Sequence, residues 1–134
     1  MAFREVCDQP VLSTWQKLMD YLLVRLSHER NEQFWILFLD RKNCLTFELK
    51  VAEGTVDHVP VYPREVVRLA LQHDASALLI VHNHPSGDPA PSKADIEITR
   101  QLSNALSVIN VSLHDHVIVG TGGKYTSFKT NGLF

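Results

Sequence analysis

The stretch VHNHPSGDPAPSKAD, residues 81–95, places His82 and His84 two residues apart at the end of an apolar run. A Pro/Gly-rich loop follows, then Ser92, with Asp95 three residues further on. The run that leads in, SALLIVH, is short, apolar and partly β-branched, and it is bounded by polar residues and by Pro-Ser-Gly; it reads as a buried strand. Residues i and i+2 of a strand share a face, so His82 and His84 aim their rings at one point and Asn83 faces away. Pro85, Gly87, Pro89 and Pro91 make a stiff turn that continues neither helix nor strand. From Ser92 the periodicity is helical, with Ile96, Ile98, Leu102, Leu106 and Ile109 as the apolar stripe. Ser92 sits at the N-cap and Asp95 at N3. Strand end and helix start then face each other across the loop, bringing Asp95 near both imidazoles.

Two imidazoles and one carboxylate form a three-ligand shell for a divalent metal. Closed structural zinc sites have four protein ligands, whereas three leave a position for water, so the set favours catalysis over scaffolding. Metal-activated water needs a nearby base. Glu29, Glu32, Glu48 and Glu53 are the candidates, and Glu32 stands out because it immediately precedes FWILFLD, a second apolar strand. Each element also has a plain structural reading: a His-x-His pair can be incidental to a strand, and Ser92 with Asp95 is an ordinary helix cap. Their coincidence within fifteen residues favours the metal.

His-x-His, seven residues, Ser, two residues and Asp resembles the JAMM signature of JAB/MPN-type metalloproteases, which also use an upstream Glu. The longer string HNHPSGDPAPSKAD is similar to the version found in the bacterial RadC family. EQFWILFLD, EGTVDHVPVYPREVVRLAL, DHVIVG and the ending YTSFKTNGLF resemble blocks of that family in the same order, so the likeness runs from about residue 29 to 134. It implies a cytidine-deaminase-like (MPN/JAB) α/β sandwich, with a mixed central sheet flanked by helices. It implies His82, His84 and Asp95 as metal ligands, Glu32 as general base, and Ser92 as the residue that holds the water or stabilises the oxyanion. Zn2+ is the expected cofactor, although iron or manganese also suits two His and one Asp. The implied activity is hydrolysis of an amide bond in a protein or peptide, by a peptidase or isopeptidase. The alternative is a metal-stabilised interaction module of the RadC family without significant turnover.

The family's customary name carries a DNA-repair label, and the composition bears on it. The 134 residues have 13 Lys and Arg against 15 Asp and Glu, a net charge of −2. These charges are interspersed, without the basic stripe that phosphate neutralisation requires. Direct nucleic-acid binding has no support there. A second cluster, LHDHV at 113–117, puts His114 and His116 on one strand face with Asp115 opposite. Asp115 and His116 match the family's DH pair; orienting a ligand or making structural hydrogen bonds is the expected role, with a second metal site as the alternative. His28, His58 and His73 read as surface residues.

The length suits one domain with one core. Cys7 and Cys44 have no metal-ligand spacing, and the two thiols without a leader fit a reducing cytoplasm. No apolar run reaches the roughly 20 residues that span a bilayer. The element order reads α–β–β–α–β–α–β–β. Ser13 starts the first helix, with Leu18, Leu22 and Leu26 inward. Strands fall near 34–39 and 44–51 about the turn at 40–43. Pro63 is N1 of a helix with Val66, Val67, Leu69, Ala70 and Leu71 on its apolar side. A hairpin at Gly120 leads into YTSFK. Residues 1–28 read as an N-terminal helical segment and 29–134 as the RadC-like JAB/MPN metal-binding domain. The chain has the look of a short, stand-alone form, without the N-terminal helix–hairpin–helix region of longer family members. Trp15 and Leu133, taken as exposed apolar residues, suggest a homodimer.

Overall fold

A computed structural model describes residues 15–54 and 61–134; Cys7, Ser13 and His58 lie outside the described residues. The elements are α1 (Trp15–Leu26), β1 (Glu32–Leu39), β2 (Leu45–Gly54), α2 (Pro63–Gln72), β3 (Ala77–Asn83), α3 (Lys93–Val108), β4 (Ser112–Val119) and β5 (Tyr125–Ser127). They form one five-stranded sheet in the order β2-β1-β3-β4-β5. Only β3 and β4 run parallel, joined through α3; the other pairs are antiparallel. This mixed sheet between helices is the α/β sandwich expected from the sequence.

Every residue of β3 is buried, because helices cover both faces of the strand. On one face Leu37, Leu39, Leu79, Val81, Val117 and Val119 pack with Leu18, Met19, Leu22 and Leu26 of α1. On the other, Phe34, Ile36, Phe38, Leu78 and Ile80 meet Val66, Leu69 and Ala70 of α2 and Leu102 and Leu106 of α3. A strand covered on both sides has no polar face to show, so β1 and β3 read as continuous apolar runs rather than alternations. The even-numbered residues of both strands point towards α2 and α3. Extending that parity to the strand ends puts Glu32, His82 and His84 on this same face.

Several expectations are corrected by the packing. Leu71 lies off the apolar side of α2 and is 62% exposed. In α3 the fully buried position between Ile98 and Leu102 belongs to Thr99. Trp15 is half-buried against the α1 cluster, and Leu133 is also half-buried, so neither is the exposed apolar anchor supposed. His73 is not a plain surface residue: its ring stacks on Phe47, with centroids 4.4 Å apart and planes 16° from parallel. Among the described residues no helix is long and apolar enough to cross a membrane.

Leu102 is fully buried where α3 meets the sheet. Leu102→Ala is expected to cost about 2–5 kcal/mol, seen as a lowered urea midpoint at unchanged m-value.

Candidate metal centre

The turn after β3 is held in place by backbone contacts. His84 N–H donates to the Val119 carbonyl at 2.9 Å, Gly87 N–H to the His84 carbonyl at 2.9 Å, and Thr121 N–H to the Gly87 carbonyl at 3.1 Å. Gly87 has φ +94°, and a Cβ on Gly120 would lie 2.3 Å from the Gly87 carbonyl oxygen. Two glycines therefore let the 85–91 loop lie directly on the β4–β5 hairpin. The loop ends at α3, where the Ser92 hydroxyl accepts the Asp95 N–H at 3.0 Å and Asp95 Oδ2 accepts the Ser92 N–H at 2.9 Å. This reciprocal cap, expected from the sequence, points the Asp95 carboxylate back across the loop.

The structure brings the two histidines and both carboxylates together. Glu32 Oε1 stands 3.1 Å from His82 Nε2 and 3.7 Å from His84 Nε2. Asp95 approaches from the other side, Oδ2 at 3.2 Å from His84 Nε2 and Oδ1 at 3.7 Å from His82 Nδ1. Glu32, His82 and His84 each offer one donor atom within 4.8 Å of the others. Ligands about 2.0–2.1 Å from a tetrahedral zinc lie about 3.3 Å apart, so these separations suit a divalent ion.

A sharper indication comes from His82. Both of its ring nitrogens are buried without a hydrogen-bond partner, although Glu32 is 3.1 Å away. The carboxylate is close but not aligned as an acceptor. A buried polar group left unpaired costs about 1–3 kcal/mol, and a cation held at Nε2 would satisfy one of the two nitrogens. Glu32, His82 and His84 thus fit a metal by donor chemistry as well as by spacing, while Asp95 flanks the group, against Nε2 of His84 and the other ring nitrogen of His82.

His84 is oriented separately. Its Nδ1 lies 3.0 Å from the Asp88 carbonyl, which can only accept, so Nδ1 carries the proton and Nε2 is turned into the cluster. Burial opposes protonation of His84, but the Asp95 hydrogen bond, the Asp88 carbonyl and the nearby negative charges outweigh it and raise its pKa. Burial likewise pushes the Asp95 carboxyl up, but the His84 bond, the Ser92 N–H and the two imidazoles hold it well below the ordinary carboxylate range. Asp95 is therefore ionised at neutral pH. Ser92 is exposed, and its oxygen already serves the cap, which leaves the hydroxyl proton to donate elsewhere.

The remaining glutamates are engaged away from the cluster. Glu48 pairs with Arg25 at 2.6 Å, Glu53 with Lys50 at 2.8 Å, and Glu29 accepts from Gln33. An open cleft is lined by Ser27, His28, Glu29, Arg30, Pro85 and Ser86, the last two following His84 in the chain.

Asn83 was overlooked in the sequence as the residue facing away. It is buried, and its side chain accepts the Gln33 N–H at 2.7 Å and donates to the Asn31 carbonyl at 3.0 Å. One amide thus clamps the backbone on both sides of Glu32. An Asn between two candidate ligands was the available signal, because its amide can replace two ladder hydrogen bonds where a strand ends.

The 113–117 cluster separates. A bulge between Leu113 and Asp115 interrupts the expected alternation. His114 Nε2 lies 2.8 Å from Asn43 Oδ1, whereas fully buried His116 has Nδ1 2.6 Å from Thr99 Oγ1. Burial and neighbouring His82 hold the His116 pKa well below the ordinary value. Asp115 is consumed by the His116 and Lys129 N–H groups and the Ser127 hydroxyl.

Comparison with known protein families matches residues 12–133 to the RadC-like JAB domain. A UPF0758 protein of Rhodobacter capsulatus is 54% identical over 133 residues, covering 99% of this chain and 62% of the relative. A UPF0758 protein of Ruegeria pomeroyi is 48% identical over 132 residues, covering 98% and 58%. The chain spans about three fifths of the length of the curated relatives it matches.

Asn83→Ala leaves the buried Gln33 N–H unpaired and hands the Asn31 carbonyl to solvent. A loss of about 1–3 kcal/mol in urea unfolding is expected. A midpoint equal to that of the unaltered chain would show that the clamp carries no load.

Proposed function

The chain belongs to the RadC-like JAB domain family, and from that premise we propose a zinc-dependent hydrolase of amide bonds, a peptidase or isopeptidase acting on a protein or peptide. The observation that carries the reading is His82, buried with two unpaired ring nitrogens between two carboxylates. His82, His84 and Asp95 would hold the ion, leaving a coordination position for solvent. Zinc at this position supplies Lewis acidity, polarising a carbonyl and bringing the pKa of a water towards neutrality.

The chain's own groups do the rest. Glu32, fixed by the Asn83 clamp, accepts a proton from the attacking water at its carboxylate and returns it to the departing nitrogen. Asp95 stays ionised and offers Oδ1, because Oδ2 is already bonded to the Ser92 N–H. His84 presents Nε2 because the Asp88 carbonyl holds the proton on Nδ1. The Ser92 O–H donates to the substrate carbonyl oxygen as negative charge collects on it. The cleft beside Pro85 and Ser86 supplies a place for the chain flanking the scissile bond.

Elemental analysis should find about one zinc per chain in the unaltered protein and none in the His82→Ala/His84→Ala double variant. With fluorogenic peptides and isopeptide-linked lysine conjugates as probes, Glu32→Gln should keep the metal and lose about 10²–10⁴-fold in turnover. Metal loss in Glu32→Gln would make that residue a ligand, and unchanged turnover would move the base elsewhere. A partner that binds only the metal-loaded chain, survives uncleaved and is retained by Glu32→Gln would favour an interaction module instead.

A further inference from the structure

His116 and Thr99 form a fully buried polar pair that the steps above leave unused. Thr99 Oγ1 lies 2.6 Å from the Asp95 carbonyl oxygen and 2.6 Å from His116 Nδ1. A hydroxyl has one proton, and a carbonyl can only accept. The Thr99 proton therefore goes to the Asp95 carbonyl, and His116 must donate Nδ1–H to Thr99. That leaves the His116 Nε2 lone pair buried without a partner.

The His116 ring has little room to move. It stacks on Phe128 with centroids 4.3 Å apart and planes 16° from parallel, and it meets Phe34 edge-on at 5.6 Å. Its backbone pairs with Ile80 of β3, two residues before His82. The line His116, Thr99, Asp95 therefore runs from the sheet that carries His82 to the first turn of the helix that carries Asp95. Two apolar side chains of similar shape would fill this space without leaving a nitrogen unpaired, but they would not hold the Asp95 carbonyl.

We propose that His116 is a positioning residue for the metal centre: acting through the Thr99 hydroxyl, it sets the height of Asp95 above the β3 histidines. The inference rests on the reading that His82, His84 and Asp95 hold the ion. Outer partners of this kind tune affinity by fixing where a ligand stands.

The test is zinc affinity by competition with a chromophoric chelator, alongside urea unfolding of each variant. Thr99→Val keeps the side-chain shape and removes the hydroxyl; zinc affinity should fall roughly 10–100-fold, and Thr99→Ser should restore most of it. His116→Phe keeps the stack and removes the donor, with the same expected loss. If His116→Phe does not fold, the Val and Ser variants at Thr99 decide the matter. Leu102→Ala serves as control: it lowers stability in the same helix and should leave affinity within about twofold. Cobalt-substituted Thr99→Val should also show shifted visible bands. Unaltered zinc affinity in Thr99→Val, or an equal fall in Leu102→Ala, overturns the inference alone. Failure of the unaltered chain to take up zinc overturns it together with the metal reading.

Discussion

One carboxylate oxygen, Asp95 Oδ2, accepts the Ser92 N–H and faces His84 Nε2 at the same time. The helix cap and the histidine cluster are consequently one object. A capping aspartate is confined to the first turn of its helix, and here that turn is brought to the end of β3 by a loop stiffened with three prolines. Capping stabilises α3 whether or not a metal binds, by about 1 kcal/mol for a typical cap. The placing of Asp95 against His84 is therefore built from interactions the fold already uses, rather than from groups held in place against it.

That economy explains what could be read from the chain. The metal strand, the loop and the cap depend on local rules: a two-residue period, proline geometry and an N3 carboxylate. They fell where the sequence placed them. The order of the eight elements followed from the same local signals. What escaped is set by packing between segments distant in sequence. Thr99 sits at a position of α3 where an apolar residue would be expected, and its purpose shows only when His116 is seen across the interface. The bulge at His114 has no periodic signature, since an inserted residue breaks the very alternation used to find a face. Leu71 is exposed and the His73 ring stacks on Phe47 of β2, a contact between segments that no local pattern encodes.

Glu32 is the instructive intermediate. Fifty residues separate it from His82, and nothing in the primary sequence fixes that interval. The antiparallel register does so instead: Phe34 pairs with His82, so two residues back along β1 and two forward past β3 bring Glu32 opposite His84. Regular pairing with β3 stops at Phe34 and His82, so only β2 still pairs with Glu32 along the ladder. The Asn83 amide replaces the missing ladder bonds on both sides of Glu32. The three residues His82, Asn83 and His84 thus supply two imidazoles and fix the place of the candidate base.

Burial then orders the four side chains by access. His82 lies at the floor with a side chain 4% exposed, while Glu32, His84 and Asp95 range from 12% to 15%. Anything entering the site meets the carboxylates and His84 before it meets His82. The low-dielectric floor strengthens whatever charge is held there, and the rim stays wet enough for a proton to leave. Glu32, His82 and His84 could hold a cation, with His82 as its most buried donor.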